Sequence, residues 1–195
     1  QISGDRCVPF DDKKVLNNKD CAIYEAKEYQ FIKANVTPNY RPVIVGFGPA
    51  GMFAALVLAM AGARPIILER GEDAATRNEK VEKFFATGEL DTKSNVQFGE
   101  GGAGTFSDGK LNTGTKDIRH RFILETLVAN GAPEEIRYKQ KPHVGTDILL
   151  TVVQNIRQRI ISLGGEIRFG AKVTAIFQVP DNNGENIYIK SAPLN

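Results

Sequence analysis

Within "RPVIVGFGPAGMFAALVLAMAGARPIILERG", residues 41 to 71, Gly46, Gly48 and Gly51 follow a β-branched run. Glu69 stands 23 residues beyond Gly46. That spacing suits a dinucleotide site, in which the acid follows the glycines by about 20 residues. Gly46 permits the tight turn out of a strand. Gly48 lacks a Cβ, so a pyrophosphate can approach the backbone. Gly51 lets the following helix pack closely on the strand. Pro49, Ala50 and Gly51 open that helix, whose free N–H groups and dipole favour an anion. The Glu69 carboxylate can accept hydrogen bonds from ribose hydroxyls and would repel a 2′-phosphate. NADP is therefore a poor fit at this position, and FAD and NAD both remain.

These residues need a strand, a helix and a second strand to position them. Val43-Ile44-Val45 reads as a buried parallel strand. The stretch from Pro49 to Ala61 reads as an apolar helix ended near Gly62. Pro65 to Leu68 is the next strand, and together they form a βαβ unit. Residues 74 to 86 predict an amphipathic helix with Val81, Phe84 and Phe85 on one side and Gly88 as its stop. Residues 92 to 115 are loop-like, although Val96 and Phe98 suggest a short anchored strand. Asp117 is placed to cap a helix ending near Gly131. A further helix after Thr146 carries Leu149, Val153, Ile156, Ile160 and Leu163, and Gly164-Gly165 ends it. Ile167 to Phe169, Val173 to Val179 and Asn186 to Ile189 read as strands, with Asp181-Asn182-Asn183-Gly184 as a hairpin turn.

Composition narrows the classes. The 195 residues carry a net charge of only +2, which gives no support for a nucleic-acid partner. Cys7 and Cys21 are too few for a disulfide framework and point to a reducing, cytoplasmic setting. The apolar stretch is broken by Gly46, Gly48, Pro49 and Gly51, and again at Arg64-Pro65. It falls short of the roughly 20 uninterrupted residues of a bilayer span, so no membrane role is expected. Oligomeric state has no signature in the sequence.

At "GFGPAGMFAALVLAMAGARPIILERG" the chain resembles the FAD-binding flavoprotein superfamily, with Ala54, Ala55 and Arg70 fitting its version of the motif. Two further stretches, "EKFFATGELDTKSNVQFGEGGAGTFSDGKL" and "KPHVGTDILLTVVQNIRQRIISLGGEIRFGAKVTAI", narrow the resemblance to a bacterial family of largely uncharacterised FAD-dependent dehydrogenases. The resemblance implies an α/β fold: a Rossmann-like FAD/NAD(P)-binding βαβ sheet with an antiparallel β-meander, incomplete at the C-terminus. It places the pyrophosphate on Gly46, Gly48, Pro49, Ala50 and Gly51, and the adenosine ribose on Glu69 with Arg70 beside it. Gly101, Gly102, Ala103, Gly104, Thr105, Phe106 and Ser107 match the glycine-rich loop that runs alongside the flavin. Its glycines expose backbone N–H groups, and Thr105 and Ser107 offer hydroxyls. Val173 matches the strand whose backbone pairs with adenine.

The expected activity is an FAD-dependent oxidoreductase acting as a dehydrogenase on a small-molecule substrate, with NADH or NADPH as a possible donor. A flavin monooxygenase and a non-catalytic dinucleotide-binding module are the alternatives. The resemblance implies a later Gly-Asp motif whose acid holds the ribitol; nothing after residue 180 matches it, so the chain reads as part of a longer enzyme. Residues 1 to 40 read as an N-terminal extension or remnant of a small domain, and 41 to 195 as the FAD-binding domain. No cysteine follows Cys21, which excludes a redox pair beside the flavin within this chain. His120 and His143 stand apart and form no metal set. Asp108 and Lys110 flank the flavin loop as solvated charges or as groups orienting substrate or flavin, and His143 reads as structural or as an active-site neighbour. No catalytic side chain is assigned.

Overall fold

A computed structural model describes residues 17, 19, 29, 40–107, 109–111, 117–139, 141–181 and 184–193. The expected extension over residues 1 to 40, both cysteines, Asp108, Asn182 and Asn183 fall outside those residues, apart from Asn17, Lys19, Tyr29 and Tyr40.

A parallel three-stranded sheet forms the base. β1 (Val43–Val45), β2 (Ile66–Leu68) and β3 (Glu166–Arg168) stand in that order, with β2 central. Val43 pairs with Ile66, and Ile66 with Glu166. The β1-to-β2 connection is α1 (Pro49–Met60), which completes the expected βαβ unit. Then come α2 (Ala74–Thr87), a 3-10 turn (Ala103–Phe106), α3 (Arg119–Ala129), a second 3-10 turn (Glu134–Arg137) and α4 (Thr146–Ser162). α1 and α4 pack on each other. Met52, Ala55, Leu56 and Ala59 of the former join Val152, Val153, Ile156 and Ile160 of the latter in one apolar cluster. Burying each such aliphatic side chain contributes roughly 1.5–3 kcal/mol. Phe47 of the glycine turn joins the same cluster.

β4 (Ala171–Asp181) and β5 (Gly184–Pro193) form an antiparallel hairpin, with Asp181 opposite Gly184 as the turn chemistry predicts. Two strands are described where a meander is expected. Among the described residues no helix is long and apolar enough to cross a membrane.

Two local expectations are corrected. Residues 96–98 form no strand; the Val96 carbonyl and the flanking carbonyls of Asn95 and Glu100 accept from the Arg77 side chain. Phe85 points outward and is 74% exposed, whereas Val81 is buried. The inward face of α2 is Ala74, Arg77 and Val81, spaced three and four residues apart.

Candidate functional site

The end of β1 runs into Gly46, whose φ of +94° lies in the region glycine adopts freely. Phe47 then turns inward and is fully buried, leaving Gly48 as the N-cap of α1. Gly51 sits against the turn: a Cβ there would collide with the Gly46 carbonyl oxygen. Gly48 differs, since a Cβ would come only within 3.8 Å of the Gly102 Cα. No side chain caps the N-terminus of α1. Its first-turn amides therefore lack intrahelical acceptors.

Glu69 follows β2 and is almost wholly buried, with 4% of its surface exposed. One carboxylate oxygen accepts from the Phe47 amide at 2.7 Å and the other from the Gly71 amide at 2.8 Å. The acid thus joins the end of β2 to the glycine turn. A carboxylate offers about four lone-pair sites, so acceptor capacity remains for a ligand. Arg70 lies with its guanidinium carbon 3.8 Å from the centroid of the Phe98 ring, and its Nε is buried without a partner. The Glu69 carbonyl accepts from the Ala171 amide at 2.8 Å, which brings Val173 to the same end of the sheet.

Gly46, Gly48, Glu69, Arg70, Gly102 and Val173 line one cleft of about 360 Å³, together with Gln97, Phe98 and Lys172. Pro49 and Ala50 are exposed beside it, and Gly51 lies beneath the turn. The loop of residues 101–107 is joined to the turn by the Gly101 amide, which donates to the Phe47 carbonyl at 2.8 Å. Gly101, Ala103, Gly104, Thr105, Phe106 and Ser107 do not line the cleft itself. The hydroxyls that Thr105 and Ser107 are expected to offer both make bonds inside the loop. Thr105 is buried and its hydroxyl faces the Glu100 carbonyl, while Ser107 Oγ donates to the Gly104 carbonyl and accepts from the Gly109 amide. Both hydroxyls shape the loop. His143 is exposed on a single antiparallel bridge with Lys110. Among the described residues, no three His, Cys, Asp or Glu side chains gather to hold a metal ion.

Sequence reasoning missed a buried ionic group behind the cleft wall. Arg77 and Glu100 are both fully buried. Arg77 donates to the carbonyls of Asn95, Val96 and Glu100. Burial pulls its pKa down to about 10, against the raising influence of Glu69 and Glu100, and it stays charged at neutral pH. Glu100 accepts from the Ala74 amide at 2.7 Å and from Arg157 Nη1 at 3.0 Å. Burial raises its pKa, while the Ala74 amide and Arg157 oppose that shift. The available signal was the register of Arg77 with Ala74 and Val81 on the inward face of α2.

Residues 40–80 match the family model described as FAD binding domain. An uncharacterised protein of Clostridium beijerinckii is 54% identical over 162 residues, 83% of this chain and 30% of that protein. This chain therefore spans under a third of the length of that relative. Among solved structures, THI4 of Thermovibrio ammonificans aligns with a TM-score of 0.48 at 16% identity, over 79% of this chain and 48% of that one. The Diels-Alderase PyrE3 of pyrroindomycin biosynthesis aligns at 0.39 and 17% identity, over 76% and 30% respectively. The matched segment holds β1, the glycine turn, α1, β2 and Glu69, and supports FAD as the cofactor of this α/β chain. The residues present suit that group. The uncapped N-terminus of α1, the buried acceptor Glu69 and Arg70, whose Nε has no partner, belong to residues of one cleft.

Proposed function

We propose that this chain is the nucleotide-binding part of an FAD-dependent oxidoreductase, a dehydrogenase acting on a small-molecule substrate. The observation that carries the reading is the shared cleft of Gly46, Gly48, Glu69, Arg70, Gly102 and Val173, in the segment matched to an FAD binding domain. Bound FAD supplies the hydride and electron chemistry, and the protein supplies orientation and local charge. The amides at the start of α1 receive the pyrophosphate. Glu69 accepts from the adenosine ribose and disfavours a 2′-phosphate. Arg70 and the β4 backbone at Val173 border the adenine. The loop 101–107 runs toward the flavin; the amides of Gly101, Gly102, Thr105 and Ser107 are engaged within the fold, and those of Ala103 and Gly104 are the ones to meet it. NADH or NADPH fits the role of electron donor.

Titration of the chain with FAD, ADP and NAD tests this, with flavin fluorescence reporting the first. FAD is expected to bind more tightly than ADP, because loop 101–107 adds contacts beyond the adenosine. Equal affinity for both would remove the flavin end from the proposal. Absence of binding by all three would remove the reading as a whole.

A further inference from the structure

Residues 94–100 have no helix or strand of their own, yet Gln97, Phe98 and Gly99 form a wall of the cleft. Backbone of that kind must find its hydrogen bonds elsewhere. Three of them come from one side chain. Arg77 donates from Nε to the Asn95 carbonyl at 2.7 Å, from Nη1 to that of Glu100 at 2.6 Å, and from Nη2 to that of Val96 at 2.7 Å. Its stem passes beneath Gly99, where a Cβ would stand 2.6 Å from Arg77 Cδ. Its guanidinium carbon lies 4.7 Å from the centroid of the Phe106 ring. One residue thus touches both the cleft wall and the loop of residues 101–107.

Glu100 closes the arrangement. Its carboxylate holds the Ala74 amide and Arg157, while the next amide, that of Gly101, donates to the Phe47 carbonyl. The wall is therefore referenced to α2, α4 and the glycine turn together.

We propose that Arg77 is a positioning residue for the dinucleotide, fixing the 95–100 wall at its working distance from the glycine turn. The inference rests on the FAD reading above. Arginine suits the task because its planar fork carries five donors, whereas a lysine is a compact point charge. Without the fork the three carbonyls lose their partner and the wall rearranges. A ligand must then order the wall as it binds, and affinity falls.

The test uses the whole chain, with the folded fraction set by circular dichroism. Arg77→Met, Arg77→Lys and the core control Ile160→Val are titrated with FAD and with ADP. Arg77→Met is expected to weaken both by about tenfold or more, as loss of charge-assisted hydrogen bonds would do. The visible circular dichroism of bound flavin should weaken with it. Arg77→Lys should lose affinity in the same direction but less, and it decides the matter if Arg77→Met does not fold. Ile160→Val should lower the unfolding temperature and leave affinity unchanged. An Arg77→Lys protein that binds FAD as wild type does would overturn the proposal. So would an Ile160→Val protein that loses as much affinity, since general destabilisation would then account for both. Failure of the wild-type chain to bind FAD or ADP would instead overturn the FAD reading, and the positioning role with it.

Discussion

The Glu69 carboxylate and the Phe47 amide meet at 2.7 Å across 22 residues of chain. This bond ties the end of one strand to the turn after its neighbour, and the second oxygen accepts locally from the Gly71 amide two residues on. The acid of the glycine motif is therefore a structural acceptor as well as a candidate ribose contact. Glu69→Gln keeps the shape but offers one acceptor oxygen, so an amide nitrogen must face a backbone N–H. The expected cost is about 1–3 kcal/mol. A chain of this size loses about 2–4 °C of unfolding temperature for each kcal/mol. Thermal unfolding of the variant without ligand checks this, and an unchanged midpoint would show that the two amides find other partners.

Gly51 and Gly48 should separate stability from binding. Gly51→Ala drives a methyl into the Gly46 carbonyl, so α1 must move off the turn. Overpacking of that kind costs about 1–3 kcal/mol. Gly48→Ala meets only the Gly102 Cα at 3.8 Å. Its stability should stay within about 1 kcal/mol of wild type, as for an ordinary N-cap change. Its methyl, however, borders the path proposed for the pyrophosphate, and ADP affinity should fall. Denaturant unfolding and calorimetric titration of both variants would give opposite rankings. The same ranking in both measurements would contradict this division.

Asp73 is the N-cap of α2, the helix that carries Arg77. Its Oδ1 accepts from the amides of Ala75 and Thr76, and its Oδ2 accepts from the Thr76 hydroxyl. Asp73→Ala should cost about 0.5–2 kcal/mol. Asp73→Asn should recover most of the loss, because an amide oxygen can still accept. A midpoint series of wild type, Asn and Ala in falling order is the expected result of chemical denaturation.

The βαβ unit was legible because its signals are local. A β-branched run, a glycine turn, an apolar helix and a terminal acid each declare themselves within a few residues, and Gly88 stops α2 in the left-handed conformation expected of it. The cleft wall was not legible, for a reason of range. Val96 and Phe98 have the composition of a strand, but the carbonyls of Asn95, Val96 and Glu100 are held by Arg77, some twenty residues earlier. An arginine on a surface helix ordinarily reads as solvated. Only its register with Ala74 and Val81 marks it as inward, and Glu100 has no periodic neighbour to mark it at all. The bonds that the Thr105 and Ser107 hydroxyls make inside the loop have no signal in the sequence either, since the turn that brings them to their acceptors is local backbone geometry.

Glu100 gives a pH dependence of definite sign. Burial raises its folded-state pKa above the ordinary glutamate value of 4.5, with the Ala74 amide and Arg157 opposing and Asp73 adding to the rise. In the unfolded chain the group returns to that ordinary value. Between the two values the folded protein holds a proton that the unfolded chain has released, so stability falls as pH rises through this window. Below it the contribution is fully present, and above the folded value it is gone. Asp73, Asp91 and Glu166 are shifted downward and act in the opposite sense at lower pH, so the wild-type curve alone would mix the effects. Subtracting the curve of Glu100→Gln removes those shared contributions. The difference, wild type minus variant, should decline as pH is raised above the ordinary value of 4.5 and level off only above the raised folded value. Denaturant unfolding at closely spaced pH values measures it. A difference that climbs with pH over that range would mean that Arg157 and the Ala74 amide outweigh burial, and that the buried carboxylate is a net stabilising ion.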